Sequence, residues 1–279
     1  MKEIVEGFKG LIKNSNRINR LLNSYARLKE KPVENVYLIE KKLSEISKLA
    51  NNLPDFSLKN SLINWLEQEK LVIEKAKEDF RFLVGERIKE LFQKDNIVIR
   101  GQFPNLRIGF YTLNLNFEFG EAILYFGPQI ERIKSKISLE PQTIYKVIKS
   151  YDEDLKKVKF EPREFHYDMK KAYKRRIILS GKTYGEKIPL LDILNEYVLL
   201  KQSPQFFIDP KKENFSEFSR IKLSYLLYLY KNSELSERKP HFYVATFDAT
   251  TDKRRALWIP DNEEGEGTYY SYISFAEED

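Results

Sequence analysis

The feature that most constrains the fold is a change of periodicity at residues 95–127, between two regions of helical spacing. This segment is rich in Ile, Phe, Tyr and Leu and is punctuated by Gly and Pro. Short apolar runs bounded by such residues are typical of strands joined by tight turns. Helical spacing returns after this segment, and strand-like runs return near the C-terminus. We therefore expect an α+β fold in which these strands form the floor of a second domain.

The alternation of apolar residues changes phase inside this segment. Apolar side chains occupy even-numbered positions at Phe110 but odd-numbered positions from Leu113 onwards. A shift of one residue turns the apolar set of a strand to its other side. A β-bulge near residues 111–112 would restore a single buried face. Residues 118–121 contain a glycine and are expected to form a hairpin turn before a buried strand at 122–126.

Residues 1–94 are expected to form a helical domain, with helices over 3–30, 36–53 and 57–93. Apolar residues recur there at alternating steps of three and four, which is the seam of an antiparallel bundle or coiled-coil hairpin. The seam residues expected to be buried include Phe8, Ile18, Leu22, Ile39, Leu43 and Ile46. Two arrangements remain open. The stripes pack on one another, or one stripe stays open for a helix of a partner protein.

Residues 95–279 are expected to form an α+β domain with a mostly antiparallel sheet of five or six strands covered by helices. Residues 215–230 fit either a helix capped by Asn214 or a strand, and the length and the cap favour a helix. Other helices are predicted over residues 128–137, 141–158, 163–179 and 189–201. A C-terminal β-hairpin is predicted from residues 241–247 and 254–259, followed by a last strand at 269–275.

Composition narrows the chemistry that the chain can carry. The 279 residues include no cysteine, which excludes disulfides, thiolate zinc sites and cysteine nucleophiles. The two histidines leave little room for a histidine-rich metal site. No run approaches the roughly 18–20 apolar residues of a membrane span, and the acids in the first ten residues are not typical of a signal peptide. A cytoplasmic location is therefore expected.

The net charge of +6 is unevenly distributed. Residues 128–187 contain 16 basic and nine acidic residues, whereas residues 241–279 contain three basic and nine acidic residues. The acids concentrate at 261–266 and 277–279. Such blocks are usually solvated loops or tails. The alternative interpretation is that the acidic loop at 261–266 lies over the basic helix within residues 128–187 and competes with phosphates for it.

Few residues form a recognisable catalytic pattern. Residues 181–183 (Gly-Lys-Thr) resemble the end of a phosphate loop, but the upstream glycine is missing. Asp248 and Asp252 are candidate acids of a metal-dependent nuclease, and the alternative is a solvated turn. His241 lies seven residues from Asp248, on the opposite face of a strand. His166 is interpreted as a satisfied surface histidine. No catalytic residue, metal ligand or cofactor is assigned.

The strongest functional pattern is a basic run on the predicted helix 163–179. Like charges spaced four residues apart on a helix repel each other, and phosphate groups would relieve that repulsion. A solvated helix face is the alternative. The candidate nucleic-acid-binding residues are Lys170, Lys171, Tyr173, Lys174, Arg175, Arg176 and Lys182. This pattern does not distinguish DNA from RNA.

We interpret the chain as a non-enzymatic cytoplasmic accessory protein. It would bind a partner protein through its N-terminal helices and nucleic acid through the basic helix, without membrane association. One alternative is a divergent metal-dependent nuclease that uses acids of the C-terminal sheet, and its cleavage activity would be lost on Asp248→Ala. The other is a structural coiled-coil scaffold, which would have no affinity for polyanions.

Overall fold

The computed structural model describes residues 1–129, 131–235 and 239–276. The fold is α+β, as the periodicity predicts: three N-terminal helices precede a five-stranded antiparallel sheet, and further helices follow it. The helices are α1 (Lys2–Leu28), α2 (Val36–Asn51), α3 (Ser57–Gln93), α4 (Pro141–Lys156), α5 (Pro162–Ser180), α6 (Leu190–Leu200), α7 (Pro204–Ile208), α8 (Arg220–Asn232) and α9 (Phe247–Thr250). The strands are β1 (Ile99–Gln102), β2 (Asn105–Ile108), β3 (Tyr111–Asn116), β4 (Glu121–Phe126), β5 (Glu131–Ser138), β6 (Ile188–Pro189), β7 (His241–Val244), β8 (Leu257–Pro260) and β9 (Gly267–Ser274).

The chain forms two compact units. The first contains residues 1–95, together with 115–122 and 138–145. The second contains residues 96–114, 123–137 and 146–279. That residues 1–94 and residues 95–279 are separate domains, each able to fold independently, stays a prediction.

The helical seam of the first unit is buried along only part of its length. Ile39, Leu43 and Ile46 of α2 are at most 4% exposed, as expected, and Ile18 of α1 is also buried. In contrast, Phe8 is 62% exposed and Leu22 is only half-buried, so the expected burial is wrong for Phe8 and incomplete for Leu22. The side chain next to Leu22, Leu21, is buried in its place.

The length of α1 explains this difference. The 27 residues of α1 span about 40 Å and the 16 residues of α2 about 24 Å, so α2 cannot cover all of α1. Tyr25 packs on Trp65 of α3, and Lys29 pairs with Glu69 at 2.6 Å. Both pairs are separated by 40 residues, so the first residue of α3 lies level with roughly Arg17. The part of α1 before that point therefore extends beyond the start of α3.

The five-stranded sheet is a meander in the order β1-β2-β3-β4-β5. The expected bulge near residues 111–112 is wrong, because β2 and β3 pair in regular register from Ile108–Tyr111 to Asn105–Asn114. Gly109 and Phe110 form the turn between these strands, and Gly109 has a φ of 54°. A two-residue turn changes the parity of the buried face as a bulge would, and glycine permits this backbone conformation.

The segment expected to form a helix at residues 128–137 instead contains β5, the edge strand of this sheet. Its burial is sparse, and Arg132, Lys134 and Lys136 are exposed. Lysine on an edge strand hinders pairing with other chains. Apolar and polar residues alternate only weakly in this strand, and its lysines and glutamate are common in helices. Pairing with β4 nevertheless gives the segment a strand conformation.

A second sheet of four strands lies in the second unit, with β9 at its centre. Strands β6, β7 and β8 all pair with β9 in antiparallel orientation. The predicted last strand is therefore confirmed, but the predicted hairpin of residues 241–247 with 254–259 is wrong. The hairpin is formed by β8 and β9, and α9 lies between β7 and β8.

The core of the second unit lies between this sheet and helices α5, α6 and α8. The helix predicted over residues 215–230 is confirmed from Arg220 onwards, where α8 begins. Its cap is Ser219, whose hydroxyl accepts a hydrogen bond from the backbone N–H of Lys222 at 3.1 Å, and the expected Asn214 cap is wrong. The largest buried side chains of this core include Tyr173, Tyr197, Tyr230, Met169, Leu227, Ile273 and Phe275.

Candidate functional site

Helix α5 positions the basic run. The carboxylate of Glu161 caps its start by accepting a hydrogen bond from the backbone N–H of Glu164 at 2.7 Å, and Pro162 occupies the first turn. Gly181, with a φ of 64°, ends it in the left-handed conformation. Its apolar stripe is buried in the core, and this fixes which side chains face solvent. The buried stripe consists of Phe165, Met169, Ala172, Tyr173 and Ile177.

Three of the candidate residues are engaged inside the protein. Tyr173 is fully buried, and its hydroxyl donates a hydrogen bond to the carbonyl of Glu186 at 2.7 Å. The guanidinium of Arg176 donates two hydrogen bonds to the carboxylate of Asp192, at 2.9 and 3.2 Å. Arg175 lies 3.5 Å from the carboxylate of Glu196, which is 7% exposed.

The other candidates differ in exposure. Lys171, Lys174 and Lys182 are exposed, whereas Lys170 is half-buried. Neither Lys171 nor Lys174 makes a salt bridge with another residue in the described part of the chain. Their side chains are three residues apart on the helix and therefore share one face.

The loop after α5 adds a further cation to this surface. The ammonium of Lys182 donates a hydrogen bond to the carbonyl of Lys187 at 2.7 Å, which ties the two ends of the loop together. The ammonium of Lys174 lies 5.9 Å from the ring centre of Tyr184 in the same loop. The exposed Lys171, Lys174, Lys182 and Lys187 are called the basic face below.

Aromatic side chains continue the surface onto the second sheet. Lys187 lies over the ring of Tyr243, with its ammonium 4.1 Å from the ring centre. Tyr243 of β7 is the register partner of Tyr272 of β9, so both rings lie on one face of the sheet. Tyr272 is 43% exposed and Tyr243 is half-buried. We call Tyr243 and Tyr272 the aromatic pair.

Sequence reasoning did not identify the aromatic pair or Lys187. Strand alternation alone could place Tyr272 on the face opposite to Ile273. The position of Tyr243 beside it depends on the register between β7 and β9, which brings together residues far apart in the chain.

His166 is buried, and its interpretation as a surface histidine is wrong. Its exposed fraction is 7%, and its Nδ1 lies 2.7 Å from the hydroxyl of Tyr230. The imidazole also packs edge-on against the ring of Phe275. This histidine therefore belongs to the core between α5, α8 and β9.

The candidate acids of a nuclease, Asp248 and Asp252, lie in and just after a short helix. Asp248 is exposed on the short helix α9. Asp252 accepts hydrogen bonds from the guanidinium of Arg254 at 3.0 and 3.1 Å, and these bonds lower the pKa of its carboxyl. Within residues 1–129, 131–235 and 239–276, no group of three or more His, Asp or Glu residues is arranged to hold a metal ion.

The acidic loop at residues 261–266 is the turn between β8 and β9. Glu264 and Glu266 both pair with Arg100, and Asp261 pairs with Lys231 at 2.8 Å. The expectation that this loop lies over the basic helix is therefore wrong for these three acids. The other acidic block, at 277–279, lies outside the described residues.

A cleft of about 580 Å³ also opens in the second unit, with Phe160, Phe165 and Phe218 among its lining residues. Lys201 on its rim pairs with Glu164 at 2.6 Å and Asp168 at 3.0 Å. Burial alone would lower the pKa of Lys201, but these two carboxylates outweigh it and raise the pKa. Because these charges are already paired, we assign no ligand to the cleft.

In the part of the chain that the structure describes, no helix combines the length and the apolar character needed to cross a membrane. Comparison with protein-family models, with curated proteins and with solved structures gave no match.

Proposed function

We propose that the protein is a non-enzymatic binding protein that contacts nucleic acid through the basic face and a protein partner through its N-terminal helices. A cytoplasmic location belongs to the same proposal. The proposal of nucleic-acid binding is supported by the basic face. Two of its residues, Lys171 and Lys174, are exposed and lack a carboxylate partner among the described residues. Phosphates are anions of the size and charge that such lysines bind.

The aromatic pair supports single-stranded nucleic acid in particular. Unpaired bases stack on exposed aromatic rings while lysines contact the backbone, and each stacked base contributes about 1–3 kcal/mol. Lys187 lies directly over Tyr243, so a cation and a ring are adjacent at the junction of the loop and the sheet. A duplex keeps its bases paired and would use only the lysines.

The ion pairs of Arg175 and Arg176 determine which residues a test should change. Reversing the charge of Arg175 would place a carboxylate beside the buried Glu196, and binding could then be lost through unfolding. Arg176 is held by Asp192 in the same way. Lys171 and Lys174 are exposed and can be reversed without breaking an interaction with either acid.

The first experiment measures binding of the intact protein to a labelled single strand by fluorescence anisotropy. With four phosphate contacts on a single strand, the logarithm of the affinity should fall with the logarithm of salt with a slope of about −2.8. The double variant Lys171→Glu and Lys174→Glu should lose most of the affinity and reduce the magnitude of the slope by about 1.4.

The matched control reverses two exposed lysines of α2, Lys41→Glu and Lys48→Glu, which changes the net charge by the same amount. The control should bind nearly as the parent does, because it changes the net charge without altering any residue of the basic face. Equal losses of affinity in both double variants would mean that binding depends on net charge alone, and this result would contradict a specific role of the basic face. If the parent protein does not bind the single strand at low salt, the proposal that it binds nucleic acid is wrong.

A second arm separates stacking from charge. Tyr272→Ala should weaken binding of a single strand about 5- to 150-fold if one base stacks on this ring, and should leave duplex binding almost unchanged. Equal effects on the two ligands would contradict stacking.

A further inference from the structure

The face of α5 opposite its buried stripe carries cations and large uncharged side chains, and it carries no acid. Its residues follow one another at steps of four, four, three and four along the helix and therefore share one face. They are Arg163, Tyr167, Lys171, Lys174 and Ile178, and all five are exposed. We call these five residues the outer face. A solvated helix face usually mixes charges of both signs, so this composition is unusual for plain surface.

The cations of the outer face have no carboxylate partner inside the protein. Arg163, Lys171 and Lys174 make no salt bridge with any residue of the part of the chain that the structure describes. Lys171 and Lys174 already belong to the basic face, and Arg163 continues the line of cations to the first turn of α5. The cations that an anion can reach therefore extend along most of the helix.

The acids nearest to this surface are engaged elsewhere. The ammonium of Lys201 pairs with Glu164 at 2.6 Å and with Asp168 at 3.0 Å. The carboxylate of Glu186, in the loop after α5, accepts hydrogen bonds from the backbone N–H and the hydroxyl of Thr183, at 2.7 and 2.8 Å. These interactions occupy the three carboxylates and leave the cations of the outer face available to an anion.

Tyr167 is the aromatic residue of the outer face. Its side chain is 66% exposed, and it makes no ring contact or hydrogen bond with the other described residues. Arg163 lies four residues before it and Lys171 four residues after it, so a cation lies on either side of the ring. A base stacked on an exposed ring, with cations contacting the neighbouring phosphates, is how proteins bind single-stranded nucleic acid.

The outer face continues into the loop and the second sheet through a series of contacts. Lys174 lies 5.9 Å from the ring centre of Tyr184 in the loop. The hydrogen bond from Lys182 to the carbonyl of Lys187 closes this loop, and Lys187 lies over the ring of Tyr243. Cations and rings therefore alternate from the first turn of α5 to the aromatic pair.

We propose that one single-stranded nucleic acid lies along the outer face, crosses the loop at 181–187 and ends on the aromatic pair, with separate bases stacked on Tyr167 and on the aromatic pair. The inference rests on the proposed function and adds to it a second stacking site and the route between the two. The 13 residues from Tyr167 to Ser180 rise by about 20 Å. At 3.4 Å per nucleotide, this part of the route takes at most about six nucleotides.

The first test measures binding of a labelled strand of about 16 nucleotides, a length at the upper end of such sites, by fluorescence anisotropy. Tyr167→Ala should weaken binding about 5- to 150-fold because one stacked base loses its ring. Tyr167→Phe keeps the ring and should bind as the parent does. The matched control is Tyr151→Ala, which removes a tyrosine of α4 that is 37% exposed. Unchanged binding by Tyr167→Ala, or an equal loss in Tyr151→Ala, would overturn the proposal.

A double variant tests whether one strand contacts both stacking sites at once. If it does, the losses caused by Tyr167→Ala and Tyr272→Ala should multiply in the double variant, because distant and independent contacts contribute additively to the free energy. Two unconnected sites would behave differently. Each single variant would then lose at most about twofold, since the other site still binds, and only the double variant would lose most of the affinity. That pattern would overturn the continuous route.

The salt dependence tests the start of the route. Arg163→Gln removes one cation and should reduce the magnitude of the log–log slope by about 0.7. The control is Arg20→Gln, which removes an exposed arginine of α1 and should leave the slope unchanged. An unchanged slope for Arg163→Gln would contradict a route that begins at the first turn of α5.

These outcomes are separable from those of the proposed function. A parent protein that does not bind the single strand would refute the proposed function and the route together. A parent that binds with the expected salt slope, and whose affinity depends on Lys171 and Lys174 but not on Tyr167, would refute the route alone and leave the basic face intact.

Discussion

Arg220 holds three parts of the second unit together. Its Nε donates a hydrogen bond to the carboxylate of Glu131 in β5 at 2.7 Å. Its two terminal nitrogens donate to the carbonyls of Lys253 and Ala256, at 2.7 and 2.8 Å. Glu131 also pairs with Lys253 at 3.1 Å. One guanidinium therefore joins the start of α8, an edge strand and the loop before β8.

The removal of this guanidinium should destabilise the protein measurably. Arg220→Met keeps the length of the side chain but leaves the two carbonyls without their donor, and we expect a loss of about 1–3 kcal/mol in the free energy of unfolding. Urea denaturation provides the measurement. Arg254→Met is the control, because this guanidinium is 89% exposed and contacts the neighbouring Asp252. Its midpoint should hardly move, and an equal loss in both variants would contradict the role of Arg220.

At the scale of elements, local periodicity predicts the positions of helices well, because apolar spacing decides which face is buried. The helix expected over residues 163–179 is α5, and the three N-terminal helices are confirmed. Strand pairing is harder to predict, since β9 pairs with β6 and β7, which precede it by about 80 and about 25 residues, as well as with its hairpin partner β8. The ion pairs of the basic helix are hard to predict for the same reason. The sequence shows that Arg175 and Arg176 are basic, but only the packing of α6 brings Glu196 and Asp192 to them.

The two halves of α1 should respond differently to truncation. Leu21→Ala removes a side chain that is 7% exposed, and we expect a loss of about 2–5 kcal/mol in the free energy of unfolding. Phe8→Ala removes a larger side chain but an exposed one, and should change stability little. Both should be measured at about 1 µM protein, where association contributes least. A large loss from Phe8→Ala under these conditions would show that the first turns of α1 are covered within one chain.

At the scale of the whole molecule, several tyrosines are buried in both units. Burial raises the pKa of Tyr37 to about 12 and that of Tyr197 to about 12. Tyr111 is shifted in the same direction, again mainly by burial. A tyrosine in an unfolded chain has a pKa of about 10. The folded protein therefore holds these protons more tightly than the unfolded chain does.

Stability should consequently be lost at alkaline pH. The contribution of these tyrosines is complete below pH 10 and declines as the pH rises towards about 12, because the unfolded chain then loses protons that the folded protein retains. Urea midpoints measured from pH 8 to about 11.5 should show this decline. Tyr197→Phe should make it shallower, whereas the exposed Tyr167→Phe should not. Identical profiles for Tyr197→Phe and the parent would contradict the assignment.

The central position of β9 has a consequence for biosynthesis. Strands β6, β7 and β8 leave the ribosome before β9, yet each of them pairs with β9. At about 5–20 residues per second, β6 waits several seconds for β9 to be synthesised, whereas β8 is followed by β9 almost at once. The three N-terminal helices pack on one another and leave the ribosome before β6, so they can fold during that interval. The second sheet is thus the part of this protein in which a chaperone would be needed, and a ribosome stalled before β9 would expose it.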